Sequence, residues 1–143
     1  MSRKITATIN IENIDNASDY RFFSETIEIG RISPLSFLEA GSSDYKEKHF
    51  YWQNADQTLT IVGLGHAKVI TSTEDDKRFL EVSRRWKELC AVLIKEEKDI
   101  APVLFGGFSF DPKSIKSSEW DRFPSAFFVV PSFQLISKNG QMF

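Results

Sequence analysis

One stripe of apolar residues at helical spacing stands among several β-rich runs, and it most constrains how this 143-residue chain can fold. The apolar side chains recur three or four positions apart, which places them on one face of a helix. They are Phe79, Val82, Trp86, Leu89, Cys90 and Leu93. Thr73, with Asp76 three residues later, is a variant of the capping box and predicts the start of that helix. A sheet formed by the other runs therefore has one long apolar helix face to pack against.

The first two of six β-rich runs alternate apolar and polar residues, the period of two that is typical of half-buried strands. All six are predicted to form strands. They occupy residues 4–14, 21–30, 48–54, 58–71, 100–111 and 124–137. Asn54–Gln57 is predicted to form a hairpin loop between two of them. A short helix is predicted between Ser33 as its N-cap and Gly41 just past its end, with Pro34 as its first residue.

This order of elements predicts the α+β class, with a mostly antiparallel sheet packed on one long helix and one short helix. No internal repeat or linker interrupts the chain, so residues 1–143 are expected to form a single unit. Asn139-Gly140 is the strongest short signal for a type I′ hairpin turn, but few residues follow it. We expect that too few remain to pair along the preceding strand, and that the chain is part of a larger domain.

Composition excludes several classes of protein. The net charge is −2, which argues against nucleic acid as a partner. No apolar leader and no run of roughly 18 apolar residues is present, so a cytoplasmic protein without a membrane partner is expected. A single cysteine and two histidines exclude an internal disulfide, a Cys-based zinc cage and a His-rich metal site.

The glycine and acidic motifs are assigned to the scaffold. Gly63 and Gly65 lack the third glycine of a dinucleotide fingerprint and lead into more strand, which favours a bulged or closely packed strand. The acids at 74–76 could bind magnesium, but a place at the positive end of a helix already accounts for them. Glu96 and Glu97 are interpreted as a solvated helix end.

The histidines and the cysteine are assigned in the same way. His49 precedes the aromatic residues 50–52, which suggests ligand stacking, but a strand of alternating inward and outward aromatics is favoured. His66 is interpreted as an ordinary residue on the polar face of a strand rather than a base. Trp86 and Cys90 lie on the apolar helix face, which favours a core indole and a buried structural thiol. The sequence therefore predicts no catalytic, cofactor-binding or metal-binding residue.

Residues 102–111, PVLFGGFSFD, look like a buried strand because four large apolar residues surround two adjacent glycines. The four are Leu104, Phe105, Phe108 and Phe110. Glycine weakens a strand, since it has no side chain to pack. Gly106 and Gly107 are therefore expected to let the strand bend or bulge, so that another element approaches its backbone closely. On this hypothesis, replacing Gly107 by Val destabilises the full-length protein to which the chain belongs.

Three stretches, taken together, carry a family resemblance. They are HFYWQNADQTLTIVGLGHA at 49–67, PVLFGGFSFDP at 102–112 and WDRFPSAFFVVPSFQL at 120–135. In this order they resemble the N-terminal part of isochorismate synthases of the menaquinone and siderophore type, members of the chorismate-using group. The resemblance covers most of residues 35–136 and implies an incomplete part of a larger two-sheet enzyme.

The resemblance also implies a reaction, in which chorismate and water give isochorismate while Mg²⁺ holds the substrate carboxylates. In that family a lysine is the general base, a glutamate is the general acid, and other glutamates bind the metal. All of these lie in the chorismate-binding portion, C-terminal to the matched segment, so none is assigned to a position in this chain. The chain is expected to be a scaffold region that is inactive alone.

Two alternatives stay open. Taken as complete, the chain would be a self-contained α+β module whose Phe-rich sheet, with 13 phenylalanines in the chain, binds an apolar or aromatic ligand. The same region of a salicylate or anthranilate synthase would share the scaffold, although the F-Y-W and G-G-F-S-F segments favour isochorismate. The scaffold hypothesis further predicts sheet surface that the rest of the enzyme covers, and self-association of the isolated chain through it.

Overall fold

The computed structural model describes residues 22–27, 32–97, 100–111, 120, 123–138 and 141–142. The strand predicted at 4–14 and most of the loop at 112–121 lie outside the described residues. In chain order the elements are β1 (Phe22–Phe23), α1 (Pro34–Ser42), β2 (His49–Gln53), β3 (Leu59–Leu64), β4 (Lys68–Ser72), α2 (Arg78–Ala91), β5 (Leu93–Ile94), β6 (Phe105–Phe108), β7 (Ala126–Val130), β8 (Phe133–Lys138) and β9 (Gln141–Met142).

The first layer is a four-stranded antiparallel sheet in the order β2–β3–β8–β9. The aromatic strand β2 pairs with the return strand β3 as predicted, with Tyr51 opposite Val62. The loop between them extends through Thr58, one residue further than predicted. The side-chain oxygen of Asn54 accepts a hydrogen bond from the backbone amide of Leu59 at 2.8 Å, which closes the hairpin at that longer length.

Helix α1 covers one face of this sheet. As predicted, Pro34 is its first residue and the Ser33 hydroxyl accepts a hydrogen bond from the Ser36 backbone amide at 3.0 Å. Gly41 lies inside the helix rather than past its end, because Leu64 packs against it. A Cβ at Gly41 would lie 2.3 Å from a Leu64 methyl carbon. The buried apolar cluster of this layer consists of Phe37, Val62, Leu64 and Leu135.

The second layer is a three-stranded antiparallel sheet in the order β4–β7–β6, and helix α2 packs on it. Val82 of the helix is buried with Ile70 of β4 and Ala126 of β7. Trp86 packs against the same cluster, so the indole belongs to the core as predicted. The stripe therefore faces a sheet through Val82, Trp86 and Leu89, whereas Phe79 and Cys90, also predicted on it, are exposed.

The start of α2 differs from the prediction. The helix begins at Arg78, and Lys77 is its N-cap and makes no side-chain capping bond. Thr73 is not the cap, because β4 continues to Ser72 and the chain needs the following residues to turn from sheet to helix. The start of the helix is instead fastened to β4 by a side-chain hydrogen bond, in which the Ser72 hydroxyl donates to the Glu81 carboxylate at 2.5 Å.

A short parallel pair, β1 with β5, closes the end of the helix stripe. Phe22 lies opposite Leu93 in this pair and is buried with Leu89 and Val130. Leu93 was predicted as the last residue of the helical stripe, but it belongs to β5. The run at 21–30 was predicted as one strand, yet only Phe22–Phe23 pair among its described residues.

Two of the predicted runs are each divided between the two layers. The run at 58–71 supplies β3 to the first and β4 to the second, because the chain turns at Gly65, where φ is +74°. The run at 124–137 is divided at Pro131, which has no backbone N–H to donate to a ladder. The single sheet expected from the sequence is therefore three sheets among the described residues, while the α+β class is confirmed.

Strand β9 corrects the expectation for the C-terminal residues. Ser137 lies opposite Met142 and Lys138 opposite Gln141, in an antiparallel pair. This is the pairing of the hairpin predicted there, and the expectation that too few residues remain to pair was wrong. In the part of the chain that the structure describes, no helix has both the length and the apolar character needed to cross a membrane.

Candidate functional site at the junction of the two sheets

Four ring side chains meet where the two large sheets adjoin. Phe50 of β2 and Phe105 of β6 stack with ring centroids 5.2 Å apart. His66, between β3 and β4, has its ring centroid 6.0 Å from that of Phe50 and 6.3 Å from that of Phe127 in β7. We call these four residues the aromatic junction. The F-Y-W, G-L-G and G-G-F segments that carry the family resemblance come together here.

Two glycines of the GLGHA motif make this close approach possible. A Cβ at Gly63 would lie 3.0 Å from the Cβ of Pro131 and 3.1 Å from the Phe105 ring. A Cβ at Gly65 would lie 2.7 Å from the Ser132 hydroxyl oxygen. The motif therefore serves close packing at a turn of the chain, in agreement with the closely packed strand that the sequence favoured over a nucleotide site.

His66 is the titratable side chain of the aromatic junction. It lies on a connection and is half-buried among rings, so its placement on the polar face of a strand was wrong. Its pKa is lowered from the ordinary 6.5, first by burial and next by the charge of Lys48. Nε2 is buried and has no hydrogen-bond partner among the described residues.

A cavity of about 590 Å³ adjoins His66 and is lined by residues 43–48 and Ser132. Its lining includes two lysines and two acidic residues, so the cavity does not present one sign of charge. A neutral imidazole can accept a proton, but no described hydroxyl is hydrogen-bonded to His66. The nucleophile–base pair that covalent catalysis requires is therefore not formed here by the described residues.

The double-glycine strand β6 is less buried than the sequence predicted. Leu104 and Phe105 are half-buried, but Phe108 is 36% exposed and Phe110 is fully exposed. The expectation of a buried strand was wrong because β6 is an edge strand, paired only with β7 among the described residues. Burial depends on what covers an edge, and a local apolar run does not contain that information.

The two glycines of β6 have different roles. Gly106 has φ +152°, and a Cβ there would lie 2.1 Å from the Phe127 carbonyl oxygen and 2.6 Å from the Phe128 Cα. The close backbone approach expected from the sequence is therefore found at Gly106. A Cβ at Gly107 would have no neighbouring atom within 4 Å among the described residues, so the contacts of this chain give no steric reason for Gly107→Val to destabilise the full-length protein.

The aromatic strand β2 alternates only in part. Phe50 is half-buried, whereas Tyr51 and Trp52 are 40% and 49% exposed. The alternation of inward and outward aromatics expected for this strand is therefore found for Phe50 and Tyr51 but does not continue to Trp52. His49 is exposed as well, and its Nδ1 lies 3.3 Å from the Tyr45 carbonyl oxygen, an ordinary local contact.

Cys90 is exposed on α2, so the expectation of a buried structural thiol was wrong. The helix directs the preceding residue, Leu89, into the core and turns the next position away from it. Partial desolvation nevertheless raises the pKa of the Cys90 thiol. A raised pKa disfavours the thiolate that a nucleophilic cysteine needs.

The acids near α2 serve the local structure. The Asp75 carboxylate accepts a hydrogen bond from the Ser125 hydroxyl, which ties the turn before α2 to the loop before β7. Glu96 and Glu97 are exposed beyond the end of the helix. Among the residues that the structure describes, no three side chains of His, Cys, Asp or Glu are placed to hold a metal ion.

Two of the buried polar side chains, Gln134 and Arg78, were not predicted from the sequence. Gln134 of β8 is fully buried; its Oε1 accepts from the Val103 amide at 2.9 Å and its Nε2 donates to the Ala101 carbonyl at 3.1 Å. It thereby clamps the segment leading into β6 onto the first sheet. The signal for it was an amide side chain within an otherwise apolar strand. Arg78, at the start of α2, is only 6% exposed, and its sequence position does not distinguish it from the other helix cations.

Comparison of the sequence with known protein families identifies the family of this chain. The family model described as "Chorismate binding enzyme" matches residues 9–143. The chain belongs to the chorismate-binding enzyme family. The matched range includes both helices, both large sheets and the whole aromatic junction. The resemblance inferred from the three stretches is therefore confirmed at the level of the family.

Two relatives from this comparison are themselves named isochorismate synthases. Isochorismate synthase MenF of Bacillus subtilis strain 168 is 39% identical over 116 residues, which cover 76% of this chain and 25% of the relative. The salicylate biosynthesis isochorismate synthase of Pseudomonas aeruginosa is 27% identical over 114 residues, covering 80% of this chain and 23% of the relative. The chain thus spans about a quarter of the length of these curated relatives. No solved structure is significantly similar to it.

Proposed function

We propose that this chain is the N-terminal scaffold region of an isochorismate synthase, which converts chorismate and water to isochorismate in menaquinone or siderophore biosynthesis in the cytoplasm. The observation that carries the proposal is the 39% identity, over three quarters of the chain, to a relative named isochorismate synthase. The second relative carries the same activity in its name, which supports isochorismate over the salicylate and anthranilate alternatives.

In this proposal the chain shapes and supports the enzyme, and the reacting groups belong to the rest of the protein. The contacts that support a scaffold role are the Gln134 clamp on residues 101–103 and the close approach at Gly106. Both fix the position of β6 against the neighbouring sheets. The hydroxyl–carboxylate hydrogen bonds of Ser72 with Glu81 and of Ser125 with Asp75 lie at buried serines and fasten α2 to the second sheet. The described residues are therefore proposed to position rather than react.

The proposed reaction uses Mg²⁺, and we place its ligands outside this chain. Mg²⁺ takes oxygen ligands, mostly carboxylates, in an octahedral arrangement. The described residues do not fit that requirement, since their acids are not grouped in threes and Asp75 and Glu81 already accept hydrogen bonds from serine hydroxyls. No step of the reaction is therefore assigned to a metal held by the described residues.

A self-contained binding module is the second candidate, and the cavity beside His66 is the observation that favours it. Its lining by residues 43–48 is mainly polar and charged, which does not match the apolar ligand expected from the Phe-rich composition. A binding module would retain chorismate or another small acid without turning it over. Calorimetric titration of the 143-residue chain with chorismate distinguishes this candidate from a scaffold, which is expected to give no heat of binding.

Turnover tests the main proposal. Chorismate and Mg²⁺ are incubated with the purified 143-residue chain and, separately, with the complete gene product, and isochorismate is followed by chromatography. We expect product from the complete protein and none from a folded sample of the chain. Product from the chain that is abolished by a substitution within it would place the active site here and contradict the proposal. A complete protein that forms no isochorismate would contradict the assigned reaction.

A further inference from the structure

Arg78 is a buried cation with too few partners. It is 6% exposed, and its Nη1 donates to the backbone carbonyl of Asp75. Its guanidinium carbon lies 4.6 Å from the centroid of the Phe79 ring. The Nε atom is buried and makes no hydrogen bond, and no carboxylate of the described residues pairs with the guanidinium. The charge is therefore balanced only by one carbonyl and one aromatic face.

Such an arrangement is costly for an isolated chain. A guanidinium stays charged at every ordinary pH, so it cannot escape burial by losing its proton. Removing it from water without a paired anion loses solvation that one neutral acceptor does not replace. An apolar side chain of similar volume would fill the position without that cost. The presence of arginine there suggests a partner that supplies an anion.

Of the acids nearest in sequence, Asp75 and Glu81 are already engaged, and Asp76 is exposed and forms no ion pair with the guanidinium. The Asp75 carboxylate accepts from the Ser125 hydroxyl, and the Glu81 carboxylate accepts from Ser72. The Ser125 carbonyl in turn accepts from the Ser109 backbone amide at 2.9 Å. Ser109 has a buried hydroxyl without a hydrogen-bond partner, so unsatisfied polar atoms lie at both ends of this chain of contacts. The described residues next to the guanidinium thus do not complete it.

The surface above Arg78 is apolar and open. Phe79 is 56% exposed, and its ring centroid lies 4.3 Å from that of Phe108, at the end of β6. The outer edge of β6 has no paired strand among the described residues. We call Arg78, Phe79 and strand β6 the α2–β6 face. Exposed aromatic rings around a buried, unpaired cation fit a partner that is apolar with one negative charge.

We propose that the α2–β6 face receives a segment from the remaining part of the parent polypeptide, with one Asp or Glu between apolar residues. Its carboxylate pairs with the Arg78 guanidinium, and its apolar side chains cover Phe79 and Phe108. This inference rests on the proposed function, because the relatives are about four times as long as the matched region and thus supply the additional chain.

The test compares Arg78→Met in the 143-residue chain and in the complete protein, by equilibrium unfolding in urea. In the isolated chain the variant is expected to be as stable as the parent sequence or more stable, because an unpaired buried charge is removed. In the complete protein the unfolding equilibrium constant is expected to rise about 100-fold, because a buried carboxylate loses its partner. Arg84→Met is the matched control: Arg84 is exposed and pairs with Glu88 at 2.6 Å, so little change is expected in either protein.

Double-mutant cycles in the complete protein test the proposal even if the isolated chain does not fold. In the complete protein, each Asp and Glu outside residues 1–143 is replaced by Ala, alone and together with Arg78→Met. One carboxylate is expected to show strongly non-additive stability with Arg78. If no carboxylate couples to Arg78, the proposal is overturned.

Other occupants give other results, and each also overturns the proposal. A substrate carboxylate at Arg78 would raise KM for chorismate in Arg78→Met without any coupling to a protein acid. A second copy of the chain would make the stability of the variant depend on protein concentration. Because unfolding is measured without turnover, a complete protein that is inactive on chorismate yet shows the coupling would refute the proposed function and leave this inference standing.

Discussion

The two large sheets of this chain differ in how completely the chain itself covers them. On the first sheet, α1 lies over a face whose central side chains, Val62 and Leu135, are fully buried. On the second, the strand β6 is an edge, Phe79 and Phe108 are exposed beside it, and the buried Arg78 has no anionic partner among the described residues. The chain buries the centre of the first sheet itself, although Tyr51 and Trp52 of its edge strand β2 are exposed. The second sheet combines an open edge with a buried cation that no described carboxylate pairs.

This difference distinguishes apolar residues that the chain buries itself from apolar residues that it leaves exposed. Apolar residues at the centre of the first sheet are explained by the contacts that the chain makes with itself. Apolar residues at β6 and the start of α2 are explained by our proposal that another segment docks there. A large exposed aromatic surface next to an unpaired sheet edge is typical of interaction sites. The predictions below test whether the two regions really differ in this way.

The largest effect is expected at Gly106, on the less covered side. In Gly106→Val, the added Cβ would lie 2.1 Å from the Phe127 carbonyl oxygen. The backbone φ of residue 106, +152°, is also one that side-chain-bearing residues rarely adopt. Steric overlap and backbone strain together are expected to lower the free energy of unfolding by about 4 kcal/mol. Gly107→Val is the control, with an expected change within about 1 kcal/mol. Equal losses in urea unfolding would show that β7 does not approach Gly106 as described.

The next effect contrasts a covered with an uncovered leucine. Leu135→Ala removes a fully buried side chain from the first sheet and is expected to cost about 3 kcal/mol. Leu80→Ala removes a side chain that is 70% exposed on α2, and in the isolated chain the expected change is within about 0.5 kcal/mol. Both values come from chemical unfolding of the 143-residue chain. A large loss at Leu80 in that chain would remove the distinction between the two regions.

A smaller effect compares the starts of the two helices. Ser33→Ala removes the hydroxyl that accepts from the Ser36 amide at 3.0 Å, and about 1 kcal/mol of stability is expected to be lost. Lys77→Ala at the start of α2 is expected to change stability very little, because Lys77 makes no side-chain capping bond. Thermal unfolding followed by circular dichroism measures both. If the two variants lose the same stability, capping does not distinguish the helices.

The smallest effect is a pH dependence from His66 at the aromatic junction. Its pKa is lowered in the folded protein, so below 6.5 the unfolded chain binds the proton more readily. The contribution of His66 to stability is therefore present above pH 6.5 and is lost as the pH falls from there through the lower folded pKa. Replacing His66 by Gln is expected to flatten this part of the stability curve. An unchanged curve in His66→Gln would contradict the burial described for this ring.

Local signals predicted local structure well. The hydroxyl of Ser33 and the ring of Pro34 act within one helical turn, so α1 could be predicted from a few neighbouring residues. The β2–β3 hairpin and the apolar stripe of α2 were also predictable, because their patterns follow the geometry of one element. The family resemblance was likewise readable from three short stretches, and the family match confirms it.

What failed depends on contacts between distant parts of the chain. The division of two runs at Gly65 and Pro131 requires knowing that a second sheet lies beside the first. The exposure of Cys90 and Phe108 depends on what covers α2 and β6, which neither residue determines. The clamp by Gln134 joins positions about thirty residues apart, and the buried charge of Arg78 is visible only once the helix start is in place.

Hydrogen–deuterium exchange tests whether another segment covers the α2–β6 face, by comparing the 143-residue chain with the same residues in the complete protein. We predict that amides of β6 and of the first turn of α2 exchange roughly 10-fold more slowly in the complete protein, because an additional segment covers them. Amides of β3 and α1 are predicted to exchange at similar rates in both. Unchanged exchange in β6 and α2 would contradict the account, because the α2–β6 face would then remain open in the complete enzyme.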